Sequence, residues 1–207
     1  MAVTFSDNGV IVRGSSSMVP NYYLINSVCG TISFNKDYVQ FNSGENGIVA
    51  TGNSIDLSNY ANSLEFSLGI SLNDKSKLMY IVNRYVSSSR LFFLTSENNT
   101  LNLGVVNNTG DDVPSVTTFS NNAIDYSQML INIKYLKQLN TLVLTINGTE
   151  YYNNPLNYTP KITQWLPAIG YSTLGTCYLS SNNRIFYDYT WFKVDNNIAW
   201  KMQIPAD

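Results

Sequence analysis

Apolar and polar residues alternate one for one over SLEFSLGISL, Ser63 to Leu72. Leu64, Phe66, Leu68, Ile70 and Leu72 share one parity, and Ser63, Glu65, Ser67, Gly69 and Ser71 share the other. A period of two predicts a strand with a dry face and a second face that is wet or lines a concave surface. QMLINIKYL, Gln128 to Leu136, repeats the pattern with Met129, Ile131, Ile133 and Tyr135 in phase. Near the C-terminus Ile185, Tyr187, Tyr189 and Trp191 share one parity against Phe186, Asp188, Thr190 and Phe192. A strand this aromatic is expected to be central or covered.

Turn signals punctuate the strands. Asn147-Gly148 is the strongest two-residue hairpin signal. Ser96-Glu97-Asn98-Asn99 links Leu91–Thr95 to Leu101–Val106, and Lys137 to Asn140 leads into Thr141–Ile146. Val3–Phe5 and Val10–Val12 flank Ser6-Asp7-Asn8-Gly9, predicting an N-terminal hairpin arm within residues 1–17. Tyr22–Ile25 and Thr31–Phe34 read as two short strands, NSGENG (Asn42 to Gly47) as a loop, and Leu57 to Tyr60 as one helical turn. No stretch holds a helical apolar period for three turns. About fourteen short strands at this spacing predict an all-β chain: a two-sheet antiparallel jelly-roll sandwich with little helix. It is read as a single domain over residues 1–207, a length that suits one large sandwich.

Composition changes the picture in three ways. Charged residues are 13% of the chain, with a net charge of -2; the surface is polar but weakly charged, and no basic stripe exists to meet nucleic acid. The first residues lack a basic segment followed by an apolar run, and no segment approaches the ~18 apolar residues of a membrane helix. The reading is therefore no membrane insertion and synthesis in a cytoplasm without the general secretory route. The chain has no histidine, which removes the commonest general base, the Ser/His and Cys/His pairs and the most frequent transition-metal ligand. Cys29 and Cys177 are open to two readings, buried thiols or a disulfide.

Paired carboxylates of a glycosidase would stand an even number of positions apart on one strand. Glu65, Asp188 and Asp195 stand alone, and Asp111-Asp112 lies in a turn-like run, so no catalytic residue is assigned. No cofactor is expected. Calcium is the alternative, with Asp111 and Asp112 as its weak candidates beside the Asn-rich loops. Aromatic rings are the better ligand candidates, because Tyr and Trp faces bind the apolar faces of sugars. Tyr151, Tyr152 and Tyr171, with Asn182 and Asn183 in the connection Ser172 to Asn183, form the candidate ligand-binding set.

FNKDYVQF (Phe34 to Phe41), SLEFSLGISL, LINIKYLKQLNTLVLTINGTEY (Leu130 to Tyr151) and AIGYS followed by RIFYDYTWFKV come in an order that resembles the concanavalin-A-like, laminin-G-like jelly-roll family. Arg184 and Leu68 stand where that family has Gly and Trp. The resemblance covers about Gly30 to Asp207 and implies a lectin-like sandwich. A second resemblance, to bacteriophage virion structural or adhesin proteins, rests on the Asn/Tyr/Ser/Ile/Lys composition and the N-terminal arm. Together they imply a non-enzymatic, virion-associated module that binds carbohydrate or adheres to a host, working as a homo-oligomer. Its partners would be a surface glycan or other virion proteins. A purely architectural virion protein (capsid decoration or fibre) is the alternative, and a glycoside hydrolase comes third.

Overall fold

The computed structural model describes residues 3–5, 25–50, 54–73, 79–84, 91–98, 100–107, 115–120, 124–165, 167–170, 177–179 and 181–202. Among them sixteen strands and no helix occur. These are β1 (Val3–Phe5), β2 (Ile25–Phe34), β3 (Tyr38–Ala50), β4 (Ile55–Asp56), β5 (Ser63–Ser71), β6 (Met79–Arg84), β7 (Phe92–Glu97) and β8 (Thr100–Val105). They continue with β9 (Ser115–Ser120), β10 (Met129–Leu136), β11 (Thr141–Ile146), β12 (Thr149–Pro155), β13 (Gln164–Trp165), β14 (Pro167–Ile169), β15 (Arg184–Val194) and β16 (Asn197–Lys201).

Hydrogen-bonded neighbours run β12-β11-β10-β5-β15-β3-β14-β6-β7-β8-β9, with β2 and β1 added beside β3, and β16 beside β15. β13 and β4 form a separate ribbon. The β3 strand carries the path from one layer to the other: Tyr38–Gln40 pair with β15, while Ile48 and Val49 pair with β14, which in turn pairs with β6. The result is the antiparallel all-β sandwich that the alternation predicts.

The two layers meet at Trp165, which is fully buried. Its ring stands 5.0 Å from Phe66 of β5, 4.8 Å from Phe192 of β15 and 5.8 Å from Phe92 of β7, all edge-to-face. Edge-to-face packing of this kind adds stabilisation beyond the apolar area it buries. Around it lie the inward rows read from the sequence: Leu64, Phe66, Leu68, Ile70 and Leu72, and Met129, Ile131, Ile133 and Tyr135, are all buried. Cys177, also buried, is disulfide-bonded, which decides between the two readings of that residue.

Four local expectations differ from the structure. Residues 42–47 continue β3 rather than forming a loop, because β2 lies opposite and takes up the irregular stretch in register shifts between Ser27 and Ile32. For the same reason β2 is one strand over Ile25–Phe34, not two. Leu57 to Tyr60 form a turn without helix, in which Asp56 Oδ1 accepts from Ser58 N (2.9 Å) and Ser58 Oγ (2.7 Å) and so competes with helical bonding. β1 pairs with Ile32–Phe34 of β2; the other half of the expected N-terminal hairpin, residues 10–12, lies outside the described residues.

The fourth difference positions the site. Parity does not run unbroken through β15: Ile185 and Tyr187 face inward, Asp188 and Tyr189 are both exposed, and Thr190 and Phe192 face inward again. The cause is a bulge. Phe186 lies opposite Gly69 and Trp191 opposite Ser67, so two steps along β5 are matched by five along β15. The odd excess swaps the parity that meets the core. Thr190 anchors the bulge, donating through Oγ1 to Phe186 O (2.8 Å) and accepting from Met202 N (2.9 Å).

Candidate functional site

On the outer face of the β10-β5-β15 layer the bulge turns Tyr189 over the backbone of Gly69, and a groove of about 400 Å³ opens there. Its floor comes from three adjacent strands, since Leu130 of β10 and Phe186 of β15 are both direct neighbours of Gly69. Tyr189 is 54% exposed and Leu130 41% exposed, two of the four large apolar side chains that stand in solvent among the described residues. Asp125, Gln128 and Asn147 supply the polar rim.

The rim is fixed by its own hydrogen bonds. Asn147 holds the left-handed conformation (φ 51°) that a two-residue β11–β12 turn needs, with Gly148 beside it at φ 78°. Its Oδ1 accepts from Leu130 N (2.7 Å), its Nδ2 donates to Gln128 O (3.1 Å), and its own N donates to Leu130 O (2.9 Å). Asp125 Oδ1 accepts from Ser127 N (2.9 Å) and Ser127 Oγ (2.7 Å), closing the turn before β10. The Gln128 amide and the Tyr189 hydroxyl are not engaged in this network. They are the polar groups left for a ligand, beside an apolar floor.

The residues expected from sequence stand elsewhere. Tyr152 lies opposite Leu144, on the core side of β12, and burial pushes its hydroxyl pKa up. Tyr151 occupies the register shift next to it, and both rings are half-buried against the core. They belong to a tyrosine seam between the layers that includes Tyr126, Tyr135 and Tyr158; burial pushes Tyr158 up to about 12, and its hydroxyl donates to Val105 O (2.9 Å).

Asn182 is exposed with φ 66°, and its N donates to Phe41 O (2.7 Å). Asn183 is fully buried: its Oδ1 accepts from Asn73 N (2.8 Å) and its carbonyl accepts from Phe41 N (3.0 Å), fastening the turn before β15 to β3 and β5. None of these four residues lines the groove. Tyr171, Asp111 and Asp112 lie outside the described residues, and among the described ones no group of three or more acids, cysteines or histidines could hold a metal ion.

The groove residues left two traces in the sequence. Leu130 is an apolar residue on the polar parity of β10, and Gly69 leaves a gap on the polar parity of β5. Register makes these two residues neighbours.

The acids near the site are engaged. Glu65 accepts from Asn132 (2.8 Å) and pairs with Lys134 (3.3 Å), and Asp188 lies 3.5 Å from Lys201. Among the described residues that line the groove, Asp125 is the one carboxylate.

No family model matches the sequence, and no curated protein matches it. Solved structures do match. The binding domain of botulinum neurotoxin DC, in complex with rat synaptotagmin II, superposes with a TM-score of 0.59 at 13% identity, over 95% of this chain and 49% of that one. A botulinum neurotoxin type C structure, described as dependent on two ganglioside molecules for cell entry, gives 0.58 at 14% identity over 95% and 49%. The receptor-binding domain of botulinum neurotoxin D gives 0.53 at 11% identity over 87% and 49%. The chain spans about half the length of these structures. At this identity the likeness is one of fold: the chain is an all-β sandwich similar to about half of a botulinum neurotoxin receptor-binding domain.

Proposed function

We propose that the chain is a non-enzymatic glycan-binding module and that the groove over Gly69 is its binding site. The observation that carries this reading is Tyr189, a ring more than half exposed in a groove, with a free hydroxyl and with Leu130 and Phe186 beside it. Such a floor takes the C–H face of a pyranose ring, while the Gln128 amide and the Asp125 carboxylate take its hydroxyls. Among its described lining residues the groove holds a single carboxylate and not the acid and base pair that glycoside hydrolysis needs, which favours binding over turnover.

The fold likeness supports the reading in kind, because the neighbours are receptor-binding domains and one is described with ganglioside. An open groove of this size gives weak affinity per site, and repetition in a homo-oligomer multiplies it. The place proposed for such an array is a virion surface, with a host surface glycan as ligand; the sequence composition is what supports that placement.

A glycan array probed with the chain and with Tyr189→Ala tests the proposal. Binding by the parent and its loss in the variant are expected. Absence of binding to any glycan, with recovery of the chain in a stable assembly with other virion proteins, would overturn it in favour of an architectural role.

A further inference from the structure

We infer that the groove is one end of a longer platform, which takes a linear, β-linked oligosaccharide of about three units lying across the strands from Leu130 to Tyr38; this rests on the glycan reading of the same groove. Register sets the line. Leu130 of β10 stands opposite Gly69 of β5, Gly69 opposite Phe186 of β15, and Phe186 opposite Tyr38 of β3. The neighbouring residues Met129, Ile70, Ile185 and Val39, of the other parity, are buried, so the row belongs to the outer face. Its three gaps between adjacent strands span roughly 14 Å. A β-linked pyranose chain advances per unit by a distance close to one such gap, so one sugar sits over each.

The far end of the row is built as the groove is. The Tyr38 and Phe186 rings are half-buried and meet edge-to-face at 5.8 Å. The exposed Arg184 guanidinium lies over the Tyr38 ring at 4.9 Å, a cation–π contact that holds its fork of donors at the sheet surface. A polar row runs beside the apolar one, two residues away along each strand. Arg184 stands opposite both Ser71 and Gln40, and Gln128, the residue before Met129, continues the row at the β10 end. The two rows lie roughly 7 Å apart at the rise of a strand. A strip of apolar surface with donors and acceptors along its edge complements a chain of sugar rings, each of which presents a C–H face below and hydroxyls at its rim. A β-linked chain is a flat ribbon that keeps to such a straight row, whereas an α-linked glucan coils away from it.

The experiment titrates cello-, chito- and manno-oligosaccharides of one to five units, and malto-oligosaccharides of the same lengths, into the parent, Tyr38→Ala and Arg184→Ala. Expected for at least one β-linked series is affinity that rises by roughly tenfold or more from one unit to three and levels off beyond. Each variant should lose most of that rise, weakening the trimer more than the monomer. Arg184 is exposed, so its variant tests the far end even where Tyr38→Ala fails to fold. Affinity that does not rise with length, an equal rise in the α-linked series, or a rise that Arg184→Ala and a folded Tyr38→Ala both keep overturns the inference and leaves the glycan reading standing. So does binding on the glycan array with no β-linked series bound. Failure to bind any glycan overturns the glycan reading and this inference with it.

Discussion

Tyr189 sits so close over Gly69 that a Cβ added to the glycine would stand 2.7 Å from the tyrosine Cβ and 3.3 Å from that of Phe186. The bulge of β15 can cross β5 at this depth only because position 69 has no side chain. Gly69→Ala therefore forces either the bulge or the strand to move, since the blocking atoms are the stiff roots of side chains. The expected cost is about 1–3 kcal/mol of stability, as for overpacked sites, together with weaker glycan binding because Tyr189 is displaced. Chemical denaturation of the variant, followed by glycan titration, checks both.

Tyr189→Ala separates binding from folding. The ring is more than half exposed, so stability should change by no more than ~0.5 kcal/mol. Glycan affinity should fall by roughly tenfold or more, while Tyr189→Phe, which keeps the face and loses the hydroxyl, should retain most of it. Equal affinity for all three forms would sink the assignment of the platform.

How much of this was legible follows from what each signal depends on. The inward rows of β5 and β10 were readable because alternation is a local consequence of the pleat, and Asn147-Gly148 because its turn demands left-handed residues. The bulge was not readable. Asp188 and Tyr189 carry nothing that marks them as extra residues; the excess exists only relative to Gly69 and Ser67, more than a hundred positions earlier. Without the bulge Tyr189 shares the inward parity of Tyr187, so sequence alone hid the most exposed aromatic ring of the described chain behind a buried one. Tyr152 shows the opposite case: an aromatic residue read as a surface candidate, which its partner Leu144 places on the core side of β12.

Trp165 offers a test of the packing between layers. Its side chain touches Phe66, Phe92 and Phe192 from both sheets, and its indole N–H is buried without a hydrogen-bond partner. Trp165→Ala should cost about 3–5 kcal/mol, the usual range for truncating a large core aromatic. Trp165→Phe should cost far less than that, since the smaller ring leaves a gap but removes a buried donor whose desolvation costs ~1–3 kcal/mol. Urea denaturation of the pair distinguishes packing from polarity at this position.

Asp195 gives the sandwich a predictable response to acid. It opens a two-residue turn between β15 and β16, with Asp195 and Asn196 both left-handed (φ 49° and 69°). Its carboxylate accepts from the backbone N–H groups of Ala61 (2.6 Å), Asn62 (2.6 Å) and Ser63 (2.9 Å), tying that turn to the start of β5. Desolvation, the largest single influence, pulls the carboxyl pKa upward, but the three backbone donors and Lys137 together outweigh it and hold the group below its ordinary value. A pKa depressed in the folded state means stability that is present above the unfolded value, near 3.9, and lost as the pH falls through the folded one. Asp195→Asn keeps the left-handed turn but loses the charge, so it should cost roughly 1–2 kcal/mol at pH 7, a value kept low by solvent access to the bonds. That difference should shrink below about pH 4 as the parent carboxyl is protonated. Urea midpoints for parent and variant between pH 7 and pH 3 measure it, and a difference independent of pH would show that the turn, not the charge, is what Asp195 supplies.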